Sequence, residues 1–272
     1  MSILLIGETI LDQNVLLKSK EISSHTKMNK YIFQKLTNNE GGASNIYKIL
    51  RKKKIFFFSN NLNQKLKTHF SISDTKIKKT RFWFKKKIIF QINSISDNKK
   101  IKLEKKYLNK LLEKLSQSKI LVISDHNYGL INKNVLIKII KYANANSIKI
   151  YYDSQHRKKI FGEYIPKKID FFLMNRDEFK QYLHYFKIKS TNRIKSLMLL
   201  RNKLNSQNLV LKLDKEGCVC WTKNNEYIKI NPVKNKKNLI GAGDKFLAKL
   251  VSMNSEKNLK KKLAVCNKYA IS

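Results

Sequence analysis

The sequence has little cysteine, proline and glycine. Its 272 residues include 3 Cys, 2 Pro and 8 Gly. Cys218, Cys220 and Cys266 form no metal-ligand spacing and are odd in number, so we expect buried thiols in a reducing cytoplasm. No linker rich in Pro, Gly or Ser and no internal repeat divides the chain. We therefore treat residues 1–272 as a single domain.

Long apolar runs are also absent. No run approaches the roughly 18 residues that a membrane-spanning helix needs. The apolar segment at residues 2–7 is too short for a signal peptide, and no basic residues precede it. These absences argue against a membrane span, and we expect a cytoplasmic protein.

Acidic residues are few relative to basic ones. The chain has 19 Asp+Glu against 58 Lys+Arg, which gives a formal net charge of +39. This charge leaves nucleic-acid binding open as an alternative function. However, the excess is spread along the whole chain and accompanies abundant Asn and Ile, a bias that A+T-rich genomes impose on surface positions. We expect attraction of anionic substrates and salt-dependent, non-specific polyanion binding, with no specific nucleic-acid partner and no membrane partner.

Short apolar runs alternate with amphipathic segments. This alternation predicts an α/β protein whose central sheet is mostly parallel, with helices on both faces and ligands at the carboxyl ends of the strands. Strands are predicted at residues 3–6, 55–59, 120–124, 148–153, 171–174 and 209–213, with a hairpin formed by 218–222 and 227–230. Helices are predicted at residues 43–52, 103–115, 132–144 and 176–204, and two final helices begin near Gly243 and Lys257.

One region departs from this alternation. Residues 31–36, 80–84 and 88–92 alternate apolar and polar side chains without intervening helices, which is typical of antiparallel strands with one face in solvent. We interpret the segments near 13–40 and 78–95 as a small β lid over the active site.

The most informative segment is Gly241-Ala242-Gly243-Asp244, which precedes an apolar stripe at helical spacing. Small residues let the backbone turn tightly, and the N–H groups of a helix start bind anions with help from the helix dipole. A carboxylate there would repel a phosphate, and its presence indicates a base that takes a proton from an attacking hydroxyl. The alternative is an ordinary turn, with Asp244 in the first helical turn where acidic residues are favoured.

Three further motifs precede this segment. Gly7-Glu8 and Asp12 follow the first strand, Gly41-Gly42-Ala43-Ser44-Asn45 opens a helix, and Asn175-Arg176-Asp177-Glu178 follows another strand. In order and spacing, the four elements resemble the PfkB (ribokinase-like) carbohydrate kinase family over essentially the full length. Within it, the chain is most similar to the heptose 7-phosphate kinase domain of the bifunctional ADP-heptose synthesis enzyme. The features are Gly7-Glu8-Thr9-Ile10-Leu11-Asp12, the Gly-Gly-Ala-Ser-Asn segment, Lys79-Thr80-Arg81-Phe82, Ser124-Asp125-His126-Asn127-Tyr128-Gly129 and Asp153.

The resemblance implies a ribokinase-like three-layer fold and an ATP-dependent sugar kinase, acting on a phosphorylated sugar such as heptose 7-phosphate. Family members often form dimers through their lids, so a homodimer is implied as well. Asp244 would be the general base, and the N–H groups of Gly241, Ala242 and Gly243 would stabilise the transferring phosphoryl group. The resemblance also implies that the substrate is bound by Asp12, Gly41, Gly42, Asn45, Arg81 with Lys79, and Asp125. It implies ATP binding by Lys212, Gly217 and Asn267. Asn175 and Glu178 would position Mg²⁺, largely through water.

Each of these side chains also has a simpler interpretation. Asp12 would cap a turn, Asn45 would lie on a helix surface, and Glu178 would cap its helix or pair with Lys180. Lys79 and Arg81 would be solvated charges of a very basic chain. His126 is expected to be structural or solvent-facing rather than catalytic.

The sequence departs from the family pattern at several positions. Asn238-Leu239-Ile240 stands where Asp-Thr usually precedes the Gly-Ala-Gly-Asp segment, Glu8 replaces an Asp, and Lys245 replaces a small or apolar residue. Lys212-Leu213-Asp214-Lys215-Glu216-Gly217 resembles a Thr-x-Gly-x-x-Gly run in which the Thr and the first Gly are replaced. These departures keep open a second hypothesis, an inactive relative that binds a sugar phosphate or a partner protein.

Overall fold

A computed structural model describes residues 1–60, 68–96, 105–154, 165–233 and 240–272. In chain order its strands are β1 (Ser2–Gly7), β2 (Thr9–Ile22), β3 (Asn29–Gly42), β4 (Lys54–Asn60), β5 (His69–Ser73), β6 (Ile77–Phe84), β7 (Lys87–Ile95), β8 (Ile120–Asp125), β9 (Lys149–Ser154), β10 (Phe171–Met174), β11 (Asn208–Lys212), β12 (Cys218–Thr222) and β13 (Tyr227–Ile230). Its helices are α1 (Ala43–Leu50), α2 (Lys105–Ser116), α3 (Lys133–Ala145), α4 (Arg176–Tyr185), α5 (Arg193–Leu204), α6 (Ala242–Ser252) and α7 (Leu259–Ile271).

The central sheet follows from strands that are apolar on both faces. Successive side chains of a strand point to opposite faces, so Leu4 and Ile6 of β1 enter one core cluster and Ile3 and Leu5 enter the other. Helices α2, α3, α4 and α5 cover the first face, and α1, α6 and α7 cover the second. The predicted three-layer α/β architecture is confirmed.

The order of the nine strands is β13-β12-β11-β10-β9-β8-β1-β4-β5. All neighbours from β11 to β5 pair in parallel, whereas β12 and β13 form the predicted antiparallel hairpin at one edge. The carboxyl ends of the parallel strands therefore meet at one edge of the sheet, where ligand sites of such folds lie.

A second sheet forms the predicted lid, in the order β3-β2-β6-β7. β2 and β3 are strands of fourteen residues that pair antiparallel, as do β6 and β7. β2, which was not predicted as a strand, pairs in parallel with β6. Because β3 runs directly into α1, the lid is joined to the central sheet beside the site.

Two predicted element assignments differ from the structure. The single helix predicted at 176–204 is wrong, because α4 ends before Phe186 and Lys187 has a left-handed φ of 53°. The side chain of Asn192 then accepts N–H groups of Ile194 and Lys195 and starts α5 anew. The edge strand β5 was not predicted. The predicted helix at 103–115 is observed from Lys105, while residues 103–104 lie outside the described residues.

Within the described ranges, no helix combines the length and the apolarity needed to cross a bilayer.

Candidate active site

A cavity of about 260 Å³ lies where the carboxyl ends of the parallel strands meet the lid and the start of α6. Most of the predicted site residues line it, although they come from distant parts of the chain. They are Asp12, Gly42, Arg81, Asp125, Asn175, Glu178, Lys212, Gly217, Gly241, Ala242, Gly243, Asp244 and Asn267. Gly41 and Asn45 are not among these lining residues, but each contacts a carboxylate that is. Gly41 lies against Asp12, and Asn45 lies against Asp244.

The Gly-Ala-Gly-Asp segment forms the start of α6, as predicted. Gly241 is the N-cap with a left-handed φ of 74°, a conformation that favours glycine. Among the described residues no side chain caps this helix start. Gly241, Ala242 and Gly243 line the cavity, so the first N–H groups of the helix are available to bind an anion there.

Asp244 lies in the first turn of α6, with its side chain only 14% exposed. Burial raises the pKa of Asp244 to about 7, although a hydrogen bond from Asn45 opposes the shift. In that bond, Nδ2 of Asn45 donates to Oδ2 of Asp244 over 3.1 Å. The interpretation of Asn45 as a helix-surface residue is therefore wrong, because its side chain binds Asp244. A carboxylate with a pKa near the working pH suits a general base.

His126 is a site residue whose environment was not predicted. It is buried, and its Nε2 lies 3.7 Å from Oδ1 of Asp244, so the solvent-facing interpretation is wrong. Gly42 packs against its ring, since a Cβ at that position would lie 3.2 Å from His126 Nε2. A sequence signal for this position does exist: His126 directly follows a buried strand that ends in Asp125, and the carboxyl ends of such strands carry the ligand site.

Glu8 is a second residue whose role was missed. Its fully buried carboxylate accepts the backbone N–H groups of His126 (2.8 Å), Tyr128 (3.1 Å) and Leu130 (3.3 Å). Burial, together with the charge of Asp125, raises the pKa of Glu8 to about 8. Glu8 thus joins the end of β1 to the loop that follows Asp125 and carries His126.

Asp12 and Arg81 form an ion pair beneath the lid. Asp12 lies within β2 rather than at a turn, so the turn-cap interpretation is wrong. Nη1 of Arg81 donates to Oδ1 of Asp12 over 2.8 Å, and the Arg81 side chain is only 10% exposed, which excludes a merely solvated charge. Lys79 precedes it by two residues on β6 and lines the same cavity. Gly41 leaves the space that Asp12 occupies, because a Cβ there would collide with the carboxylate.

Lys212 and Asp153 form a second ion pair on the central sheet. Nζ of Lys212 lies 2.6 Å from Oδ2 of Asp153, and both side chains are largely buried. Burial lowers the pKa of Lys212, but the charges of Asp153, Glu178 and Asp244 outweigh it, so the pKa is raised and the ammonium stays charged.

Asn175 and Glu178 are bonded to each other in a capping box at the start of α4. Oε2 of Glu178 accepts the Asn175 N–H over 2.6 Å, and Oε1 accepts Asn175 Nδ2 over 2.7 Å. The helix-cap interpretation of Glu178 is therefore confirmed, and the role toward Mg²⁺ stays a prediction. Burial raises the pKa of Glu178 to about 7, although the charge of Lys212 opposes the shift. In the part of the chain that the structure describes, no three His, Cys, Asp or Glu side chains form a metal site.

The predicted ATP-binding residues line the same cavity. Gly217 has a φ of 86°, and a Cβ there would collide with the carbonyl oxygen of Ile230, so glycine is needed for the hairpin. Asn267 donates to the carbonyl of Asn231 over 3.3 Å. Of the altered family positions, Asp214 and Ile240 line the cavity, and residues 238–239 lie outside the described residues.

The fold is similar to that of solved ribokinase-like proteins. Phosphofructokinase-2 from Escherichia coli in complex with fructose-6-phosphate superposes with a TM-score of 0.71 at 13% identity, covering 99% of this chain and 92% of that one. Ribokinase from Arabidopsis thaliana complexed with ribose and ATP gives a TM-score of 0.68 at 12% identity, covering 99% and 91%.

Sequence comparison then defines the family. Residues 61–270 match the pfkB family carbohydrate kinase model, and the chain belongs to that family. The family is the one that the sequence motifs predicted. The chain is 28% identical to the bifunctional protein HldE of Helicobacter pylori and 25% identical to that of Helicobacter acinonychis, over 98% of its residues. It spans 61% of the length of these relatives.

Proposed function

We propose that this kinase transfers the γ-phosphoryl group of ATP to a hydroxyl of a phosphorylated sugar, with D-glycero-D-manno-heptose 7-phosphate, a precursor of ADP-heptose and lipopolysaccharide, as the favoured acceptor. The observation that carries the proposal is the position of Asp244, a largely buried carboxylate with a pKa of about 7 in the first turn of α6. The similarity to HldE supports the choice of a heptose.

Two parts of the site contribute to the chemical step: the base Asp244 and the N–H groups at the start of α6. Asp244 takes the proton of the sugar hydroxyl, whose oxygen forms a bond to the γ-phosphorus as the bond to ADP breaks. The N–H groups of Ala242 and Gly243 stabilise the charge on the transferring group. A carboxylate and a carboxamide, Asp12 and Asn45, suit the hydroxyls of the sugar.

Basic side chains on β6 support a phosphorylated acceptor. Arg81 and Lys79 line the cavity beside Asp12, and both extend from the lid. An arginine held by one carboxylate oxygen keeps further N–H donors that can bind a phosphate.

Asn175 and Glu178 already use their polar groups on each other. This arrangement does not suit direct coordination of a cation, and we assign them a role toward Mg²⁺ only through water. Magnesium supplies charge neutralisation to a bound triphosphate.

The test is release of ADP from ATP·Mg²⁺ with a panel of heptose 7-phosphate, the unphosphorylated heptose, ribose and fructose 6-phosphate. We expect the highest kcat/KM with heptose 7-phosphate and a loss of that preference in the Arg81→Leu variant. The Arg51→Leu variant changes an exposed arginine outside the cavity and is the matched control. Equal rates with heptose and its 7-phosphate would contradict the phosphorylated acceptor. Binding without turnover of any sugar would favour an inactive relative.

The pH dependence of the rate reports on Asp244. Since its pKa is about 7, we expect kcat/KM to rise through pH 7 as the carboxylate ionises. The Asn45→Ala variant removes a hydrogen-bond donor that stabilises the charged form of Asp244. The pKa of Asp244, and with it the rising part of the pH profile of kcat/KM, should therefore move up by roughly one pH unit. Asn38→Ala on the exposed lid surface is the control. If the rising part of the pH profile is the same in Asn45→Ala as in the wild type, a group other than Asp244 controls it.

The lid supports a homodimer. Its strands expose apolar side chains that include Phe33 (60%), Phe90 (55%) and Ile92 (44%). Such patches mark interaction surfaces, and we expect a dimer in sedimentation velocity that dissociates in the double variant Phe33→Asp/Phe90→Asp. Tyr185→Asp, an exposed aromatic on α4, is the control. A monomeric wild type would contradict the proposal.

We further propose that residues 1–272 form one domain that acts in the cytoplasm. The support is that Cys218, Cys220 and Cys266 are buried free thiols, which suit a reducing compartment.

A further inference from the structure

We propose that this protein has a second ligand site, at the edge of the central sheet opposite the active site, which binds a small hydroxylated anion through the buried ammonium group of Lys262. The anionic group is a phosphate or a carboxylate. The inference goes beyond the proposed transfer from ATP and does not rest on it, because the two cavities share no lining residue.

The first support is a cavity of about 670 Å³ at this edge. It is lined by Lys149, Phe171 and Asn208, the first residues of β9, β10 and β11, and by Lys262 of α7. The active-site cavity lies at the carboxyl ends of the same strands. The second cavity therefore lies at their amino ends, and its volume is in the range of small-molecule sites.

The second support is the burial of Lys262. The residue is only 2% exposed, and lysine is almost never fully buried without a partner of opposite charge. Among the described residues, Lys262 forms no ion pair, and its ammonium has one hydrogen-bond acceptor, the hydroxyl of Tyr151 at 3.5 Å. That hydroxyl donates its own proton to Asn254 over 2.9 Å. Since an ammonium has three N–H donors, two remain for a ligand.

The ammonium of Lys262 stays charged at neutral pH. Burial lowers the pKa of Lys262 to about 8, and the nearby ammonium of Lys149 adds to the shift, whereas Cys266 and Glu256 oppose it. The ammonium also lies 4.9 Å from the ring centroid of Phe171, a contact that stabilises a cation. A bound anion would favour the charged form and would offset the cost of burying it.

The third support is the charge of the cavity wall. Lys149, Lys223 and Lys257 line the cavity together with Lys262. None of these four lysines forms an ion pair within the described part of the chain. They can therefore attract an anion from solution, and Lys262 can bind it at the buried end of the cavity.

Three carboxylates also line the cavity, and two of them are already bonded. Asp170 accepts a backbone N–H of β9 over 2.8 Å. Glu256 accepts a backbone N–H before α7 over 3.0 Å and pairs with Lys261 over 3.2 Å. The third, Glu226, is exposed at the β12–β13 turn. Because four lysines face three carboxylates, the wall keeps a net positive charge.

Uncharged polar side chains define the rest of the ligand. Amide and hydroxyl groups line the cavity, namely those of Gln207, Asn208, Thr222, Asn224, Asn254 and Ser255. The buried Oε1 of Gln207 has no hydrogen-bond partner among the described residues. Such donors and acceptors suit the hydroxyl groups of a polyol, so the ligand class is a hydroxylated phosphate or carboxylate.

The test measures binding of three probes by calorimetry, so it needs no turnover. The probes are sn-glycerol 3-phosphate, D-glycerate and uncharged glycerol. We expect at least one of the two anions to bind and glycerol not to bind, and the anion that binds tells a phosphate site from a carboxylate site. A wild type that binds neither anion would overturn the inference.

The Lys262→Met variant tests the role of the ammonium. It should weaken anion binding by at least roughly tenfold, because a charge-assisted hydrogen bond is lost. Its melting temperature should be unchanged or higher, since a buried charge without a carboxylate partner is removed. Lys260→Met removes an exposed lysine on the same helix and outside the cavity, and it is the matched control. Wild-type affinity in Lys262→Met would overturn the inference.

Amide chemical shifts in ¹H–¹⁵N NMR spectra locate the bound anion. We expect the anion to shift the signals of Phe171, Asn208 and Thr222, and ATP·Mg²⁺ to shift those of Gly241 and Gly243. An anion that shifts only the signals at the start of α6 would be bound in the active site, which would overturn the inference. A protein that binds the anion at the second site but phosphorylates no sugar would contradict the proposed function alone.

Discussion

Turnover of the Asp244→Asn variant is expected to fall by a factor of roughly 10²–10⁴, the usual contribution of a general base. Asparagine is nearly isosteric and can keep the contact with Asn45, but it cannot take the proton of the sugar hydroxyl. Burial of the carboxylate raises its pKa to about 7, so its replacement by a neutral amide should leave stability unchanged or raise it. The measurement is kcat from coupled ADP release, together with the melting temperature.

The matched control is Asp74→Asn, an exposed acidic residue between β5 and β6. It should retain wild-type kcat. A fully active Asp244→Asn variant would show that another group accepts the proton, and His126, which lies 3.7 Å from Asp244, would be the next residue to replace.

The second large effect is expected from Glu8→Ala. This change leaves three buried N–H groups, those of His126, Tyr128 and Leu130, without their acceptor. An unsatisfied buried donor costs about 1–3 kcal/mol. We expect a loss of about 3 kcal/mol or more in the free energy of unfolding, and a melting temperature lower by roughly 6–12 °C.

Activity should fall with stability in this variant, because the loop that Glu8 holds directly follows Asp125 and places His126 beside Asp244. Circular dichroism during thermal unfolding measures the first effect, and ADP release well below the melting temperature measures the second. Glu226→Ala removes an exposed glutamate at the β12–β13 turn and should change neither. A Glu8→Ala protein as stable as the wild type would mean that water replaces the carboxylate as acceptor.

Motifs that are local in sequence were predicted well. The start of α6 could be predicted because Gly241, Ala242 and Gly243 dictate a turn and the residues after them have helical spacing. The core strands could be predicted because buried parallel strands are continuous apolar runs. The lid segments were recognised from their alternating pattern.

Contacts between distant segments could not be predicted from one sequence. The pairing of Asp12 with Arg81 depends on the parallel register of β2 and β6, which no local pattern encodes. The network around Glu8 likewise needs the loop after β8 to fold back over β1. The missed break between α4 and α5 has a local cause in the cap at Asn192, whose residue type also occurs widely in helices of this Asn-rich chain.

The most direct test of the central claim is ³¹P NMR of the reaction products of the wild-type protein with ATP·Mg²⁺ and heptose 7-phosphate. The account predicts ADP and a new phosphate monoester on the heptose in equal amounts, and neither product with Asp244→Asn at the same protein concentration. Release of inorganic phosphate without a new sugar ester, or no consumption of ATP with any sugar of the panel, would contradict it.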